Sequence, residues 1–377
     1  MLTNKDTWIL ILTGLITSII FTSTYLLQLR TFMYVIFPLL VGLLFVLSYN
    51  GRNISELLGS SFFVALLLSI PFRGYEIWGS ESTRHINLLI CYPILVYVTH
   101  CFHYIYHHNG GHWNVSYTLF FEALWNTLIV LLFGTLFMYS SENLILYPSF
   151  LYDGIYSSFL YNRVSTNGVF SYFLGLFLLF LGIGIAQYNI KVLHQLRFIL
   201  RTCMYYFLPL LVLASVTFFI LFLQNTAQNP NIIISAFFDL TLVSILFLNA
   251  YYQYDNNEKK QIAWLNGLLR GYKVFLLIMI LITNYYAYRY MSLEFNQLIY
   301  LTIALFLGGI YAYSAFRSDK EAQQIMEKGN KYLAIVFMVA LYIAILPPFD
   351  FIVNKDKSPL SIWDGTDYIR KSTYQKS

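Results

Sequence analysis

Charge is what this sequence has least of. Asp, Glu, Lys and Arg make up 11% of its 377 residues, against about 25% in soluble domains, and the mean hydropathy is +0.61. A water-soluble fold is excluded on that ground. So is a nucleic-acid footprint: the net charge of +5 is small for the length, and the basic residues are scattered at the ends of apolar stretches. Cysteine is scarce too. Cys91, Cys101 and Cys203 all lie in apolar stretches; Cys91 and Cys101 stand roughly 15 Å apart along one helix, too far for a disulfide, and all three read as small core residues. The chain has no Walker loop, no dinucleotide glycine fingerprint after a strand, no H-E-x-x-H and no G-x-S-x-G, so none of these motifs assigns it a reaction. Nor is there a loop long enough to fold as a separate soluble domain.

What the chain has instead is long apolar runs. Ile232–Lys260 holds more than twenty mainly apolar residues and then turns abruptly to charge at Asp255, Glu258, Lys259 and Lys260. At about 1.5 Å per residue, a helix of that length crosses a bilayer core of roughly 30 Å. The same plan recurs along the chain and predicts an all-α, polytopic transmembrane helical bundle of about eleven spans over residues 1–350, followed by a polar tail at 351–377. The spans are expected near 8–29, 31–49, 57–72, 85–106, 118–139, 168–188, 202–224, 232–253, 268–288, 295–316 and 332–346. The N-terminal run resembles a signal peptide but is followed by no A-x-A-like cleavage site, so an uncleaved first span is expected. Pro38, Pro93 and Pro209 fall inside spans and predict kinks. The connection 140–167 is rich in Tyr, Phe and Leu and is expected to lie in the membrane interface. Gly168, Gly175 and Gly182 recur every seven residues and predict a face that another helix approaches closely.

Lys and Arg near the loops set the orientation. The turns expected after spans six, eight and ten carry Lys191, Arg197, Arg201, Lys259, Lys260, Arg270, Lys273, Arg317, Lys320, Lys328 and Lys331, whereas the alternate turns carry only Arg289. The basic set should face the cytoplasm, which puts the N-terminus inside and, with eleven spans, the C-terminal tail outside. Lys355, Lys357, Arg370, Lys371 and Lys376 in that tail pull against this placement.

Several stretches in order resemble a bacterial multipass family catalogued as domain of unknown function 4153. They are YTLFFEALWNTLIVLLFGTLF (Tyr117–Phe137), YYFLPLLVLASVTFFILFL (Tyr205–Leu223), ILFLNAYYQ (Ile245–Gln253), YYAYRY (Tyr285–Tyr290) and LPPFD (Leu346–Asp350). The resemblance covers about 88–350. After Arg289 the family tends to a Tyr-Gly turn, where this chain has Tyr290 followed by Met291. The resemblance implies a helical bundle in the bacterial inner membrane; it brings no reaction and no catalytic residues.

The densest chemistry is HCFHYIYHHNGGH, which places His100, His103, His107, His108 and His112 within thirteen positions. His100, His103 and His107 follow i, i+3, i+7 spacing on one face of span four. Imidazole suits zinc, copper, iron or nickel, so a metal at these three residues is one reading; a polar, interfacial helix end that needs no cofactor is the other. His85 and His194 form no second cluster, which disfavours a di-iron oxygenase. Asp239 inside span eight is costly in hydrocarbon and is expected to face the bundle, face a wet cavity or be protonated. Glu122 and Asn126 lie one turn apart in span five and, with Asn249 and Arg289, complete the intramembrane polar candidates. A direct Glu122–Arg289 pair is disfavoured because the two lie toward opposite faces of the membrane. Asn126, Asn249 and Asn284 are expected to hydrogen-bond between helices. Three functions stay open: a transporter or permease for a small solute or lipid, using Asp239; a membrane enzyme acting on lipid or a lipid-linked substrate; and a non-catalytic envelope scaffold that binds partner helices through its glycine face. The lipid bilayer is the one partner the sequence itself implies.

Overall fold

The computed structural model describes residues 4–27, 32–51, 53–72, 82–112, 116–151, 168–224, 230–253, 263–290 and 295–345. Among them are eleven α-helices and no strand: α1 (Asn4–Leu26), α2 (Phe32–Ser48), α3 (Ile54–Ser69), α4 (Ser82–His108), α5 (Tyr117–Leu151), α6 (Gly168–Tyr188), α7 (Ile190–Gln224), α8 (Pro230–Gln253), α9 (Ala263–Tyr290), α10 (Phe295–Ser314) and α11 (Asp319–Ile345). A 3-10 turn, Ile70–Phe72, extends α3. Seven of these helices are long and apolar enough to cross a membrane, and α2 and α10 contribute shorter apolar segments. The outer faces are greasy: on α7, Leu210, Leu213 and Ile220 are 57%, 63% and 48% exposed. Such a surface is a liability in water and ordinary contact in lipid. The chain is a multipass helical membrane protein.

Its described residues divide into two compact units, one within 4–195 and one within 196–344. In the first, α6 packs between α1 and α5, and α2 packs on α1, α3 and α4. Glycines make these approaches close. A Cβ on Gly182 would stand 2.9 Å from the Gly134 Cα of α5, and one on Gly134 would stand 2.8 Å from Ile183 Cγ1. On the other side of α6, a Cβ on Gly14 of α1 would meet Phe180 Cβ at 2.5 Å. Gly175 is covered by the Glu142 carboxylate of α5. The small-residue face expected on α6 is therefore occupied at Gly175 and Gly182 by a helix of the same chain.

In the second unit, α9 packs on α8 and α10. Leu208, Phe237, Leu276, Met279, Tyr311 and Met326 form its buried centre. The inward stripe of α8 is Ile233, Phe237, Thr241, Ser244 and Leu248, all buried. Steps of three and four place these residues on one helix face.

Helix boundaries differ from expectation where the basic turns were placed. Lys191, Arg197 and Arg201 lie within α7, which is separated from α6 only by a turn at Asn189. No Gly or Pro interrupts 190–201, and Lys, Arg, Gln and Leu are good helix formers, so nothing there stops the helix. Lys320, Lys328 and Lys331 likewise lie on α11, whose charged first half precedes its apolar one. α5 runs to Leu151, through the first part of the connection expected in the interface; residues 152–167, the turn expected at 254–262 and the tail expected at 351–377 lie outside the described residues.

Candidate functional site

The first unit gathers its polar chemistry where α2 turns into α3. Gly51 (φ 76°) and Asn53 (φ 43°) hold the left-handed backbone of that turn, a conformation glycine adopts freely and asparagine tolerates. The reversal sets Ser48, the last residue of α2, and Ser60 of α3 on two sides of the His103 ring. Ser48 Oγ lies 2.9 Å from His103 Nδ1, and Ser60 Oγ lies 3.0 Å from His103 Nε2. Ser60 Oγ is also 2.7 Å from His107 Nε2 and 3.0 Å from the Leu57 carbonyl. The His103 and His107 rings meet edge-on with centroids 4.7 Å apart, as i, i+4 spacing on α4 requires. Asn50 Nδ2 donates to the His107 carbonyl at 3.0 Å, which ties the end of α4 to the turn.

The hydrogens of this group can be assigned. A serine hydroxyl has one proton and two lone pairs. If Ser60 donates to Leu57 O, both Nε2 atoms must donate to Ser60, and His103 Nδ1 then accepts from Ser48. Every polar atom of the chain Ser48–His103–Ser60 is satisfied in that arrangement. His100 takes a different partner, with Nε2 3.1 Å from Thr127 Oγ1 on α5. Seven residues, or roughly 10 Å of helix, separate it from His107. Among the described residues no group of three or more His, Cys, Asp or Glu is placed to hold a metal ion. His108 stacks on Tyr104 at the exposed end of α4.

The second unit carries polar side chains through its core. Asn249 Nδ2 donates to Tyr311 Oη at 2.6 Å, and Asn330 Nδ2 donates to Asn249 Oδ1 at 2.8 Å and to Tyr311 Oη at 3.1 Å. This triad joins α8, α10 and α11. The Tyr272 hydroxyl of α9 bonds Ser215 Oγ of α7 at 2.8 Å and also meets Ser244 of α8. Tyr251 Oη donates to Asn266 Oδ1 at 2.8 Å, and Arg270 pairs with Asp319 at 3.2 Å.

Lys273 lies among these groups. It is 0% exposed and sits about 12 Å inside the apolar segment Leu265–Tyr290. Its Nζ lies 4.4 Å from the centre of the Tyr252 ring, and among the described residues it has no hydrogen-bond partner. Asp319 and Arg270 both act on it electrostatically, and Tyr252 in turn feels Asp319 and Tyr311. Tyr252 therefore lies in contact with Lys273 and within electrostatic reach of the Asn330–Asn249–Tyr311 triad.

The residues singled out by sequence are distributed unevenly over these two sites. Asn249 is buried at the centre of its triad. Asn126 is buried and Glu122 half-buried on α5, in the first unit. Arg289 is exposed at the end of α9. Of the three states expected for Asp239 (facing the bundle, facing a wet cavity, or protonated), the first is not found: it is exposed on α8, between exposed Phe238 and the exposed Leu242 one turn on. The reason is helical phase, since it lies two residues, or about 200°, from inward-facing Phe237. Lys273, Ser60 and Tyr311 were not singled out from the sequence. Lys273 was read as a loop flank, although Leu265, Leu269, Tyr272, Leu276 and Met279 place a buried helical face around it. No family model matches the chain, no curated protein matches it and no solved structure matches it.

Proposed function

We propose that this membrane protein is a transporter of a small solute, with the core of its second unit as the solute path. The observation that carries this reading is Lys273, a fully buried amine in a membrane-crossing helix whose Nζ has no hydrogen-bond acceptor among the described residues. An ionisable group inside a membrane is expensive and is kept where it serves a path or a ligand. The positive Nζ, flanked by the Tyr252 face and the phenol and amides of Tyr311, Asn249 and Asn330, suits an anionic solute. Asp239, the residue on which transport first rested, points outward and has no part in this path.

The test uses purified full-length protein in proteoliposomes on a solid-supported membrane, challenged in turn with acetate, lactate, succinate, glutamate and phosphate. A saturable current with at least one anion, lost in Lys273→Met and partly kept in Lys273→Arg, is expected. Absence of current with all five, from protein that is folded by thermal melting, sinks the reading.

We also propose that the protein lies in a bacterial inner membrane with its N-terminus in the cytoplasm, as a member of the unknown-function family its motifs resemble. The order of those motifs and the basic flanks support this. Reporter fusions after residues 30 and 189 check the orientation: an alkaline phosphatase fused at 30 should be active, and one at 189 inactive.

A further inference from the structure

Among the described residues of the first unit, Ser60 is the one hydroxyl that touches two imidazoles, and the transport reading makes no use of it. Its Oγ lies 2.7 Å from His107 Nε2 and 3.0 Å from His103 Nε2, both within the reach a base needs to activate a hydroxyl. In the resting arrangement the Ser60 proton points at Leu57 O, a local bond within its own helix. Serine hydroxyls rotate, and when His107 takes its other neutral tautomer, with the proton on Nδ1, its Nε2 accepts the turned Ser60 proton in place of Leu57 O. His103 stays behind as a donor: Ser48 fixes its Nδ1 as the acceptor, which leaves its Nε2–H directed at Ser60.

The surroundings of Ser60 also point to a substrate. On α3, Glu56, Ser60, Phe63 and Leu67 follow one another at steps of four, three and four, which aligns them on one face. Glu56 is exposed at the start of the helix, Ser60 is half-buried, and Phe63 and Leu67 are 61% and 39% exposed. The stripe passes from an acid, through the hydroxyl, to roughly 10 Å of outward-facing hydrocarbon surface. An amphiphile lying along it would set its polar linkage at Ser60 and its chain against Phe63 and Leu67.

We propose that Ser60 is a nucleophile for acyl transfer from an amphiphilic ester, with His107 as its general base. Ser60 Oγ bonds to the acyl carbon as its proton passes to His107 Nε2. The His103 Nε2–H lies close enough to Oγ to donate to the charge that develops on the carbonyl oxygen. The ester C–O bond then breaks, and the leaving alkoxide takes the proton from His107. Water reverses the sequence: its hydroxyl joins the acyl carbon, its proton goes by way of His107 to Ser60 Oγ, and the fatty acid leaves. No oxidant, reductant or metal enters the balance. Glu56 acts on His107 electrostatically and is a positioning residue at most. None of this depends on transport through the second unit.

The experiment is covalent labelling of the wild-type full-length protein in nanodiscs with a long-chain alkyl fluorophosphonate, read by intact mass and by peptide mapping. One adduct per chain, located on Ser60, is expected. It should be absent in Ser60→Ala and form at least tenfold more slowly in His107→Gln. A p-nitrophenyl dodecanoate burst of one p-nitrophenol per chain should accompany it and exceed that of the butanoate ester. Wild-type protein that leaves Ser60 unmodified overturns the proposal, and so does a labelling rate unchanged in His107→Gln. Because the wild-type protein is the primary sample, failure of a variant to fold does not shield the idea. Because neither readout involves solute flux, its failure is separate from that of the transport reading.

Discussion

Replacing Lys273 by methionine keeps the length of the side chain and removes its charge. The energetic sign of that change follows from the surroundings of Nζ. A buried polar group without a hydrogen bond costs roughly 1–3 kcal/mol by mutational scales. The Tyr252 face, 4.4 Å away, returns about 1 kcal/mol through its quadrupole. A methionine in the same slot keeps the contacts with the neighbouring core and incurs neither term. The variant should therefore be more stable than the wild type by up to about 2 kcal/mol, which for a unit of this size raises the melting point by a few degrees. Intrinsic-fluorescence melting in detergent and in nanodiscs reads it directly. Gain of stability together with loss of anion current is the signature of a residue kept for function at the expense of the fold. A loss of about 3 kcal/mol or more would refute the reasoning, because that is the cost of removing one half of a buried ion pair. Lys273 would then be held by a carboxylate, and an amine free to bind solute would not exist.

The other variants test packing and helix phase. Gly182→Leu drives a side chain into α5, whose Gly134 Cα stands 2.9 Å from the first added atom, and should cost upwards of 1–3 kcal/mol; a melt within about 0.5 kcal/mol of wild type would mean that α5 and α6 do not pack through these glycines. Asp239→Leu exchanges an exposed acid for lipid-compatible surface and should raise stability, by up to about 3 kcal/mol if the position lies deep in hydrocarbon, with anion current unchanged. Loss of that current in Asp239→Leu would return the acid to the solute path and remove the outward placement as a reason to dismiss it.

Much of the fold was legible because a bilayer asks only for length and apolarity. Gly168–Tyr188 was bounded by residue composition alone, and α6 has those limits. The ends of other helices were not legible, for a physical reason. Hydropathy detects where a chain leaves hydrocarbon, whereas a helix ends where its backbone hydrogen bonds end. On α7 the two events lie about twelve residues apart: Lys191, Arg197 and Arg201 leave the apolar pattern while the helix continues through them. The first half of α11 repeats this, with Asp319, Glu321, Glu327 and Lys328 carried on helical backbone ahead of the apolar half. Long basic and acidic side chains can lie along such a helix and reach outward with their charged ends. A count of charged turns therefore overstates the loops and shifts residues such as Arg270 and Lys273 from helix to flank.

The sites turn on the same distinction between composition and phase. Asp239 drew notice as an acid among apolar residues, yet the buried set Phe237, Thr241 and Ser244 already fixes which side of α8 faces inward. A residue two positions from Phe237 lies on the other side. Lys273 was passed over as one more basic residue near a turn, yet Leu269, Tyr272 and Leu276 flank it at helical spacing, and all three are buried. Helical phase was thus sufficient to exchange the two residues between the lipid face and the core. What phase could not supply is the pairing of Ser60 with His103 and His107. That contact spans more than forty positions and depends on Gly51 and Asn53 turning α3 back against α4. Spacing within one helix predicts which residues share a face; only the turn between helices decides what that face meets. His103 and His107 therefore meet as their spacing predicts, but their chemistry is set by two serines from other helices that no local pattern marks, and His100 bonds Thr127 instead.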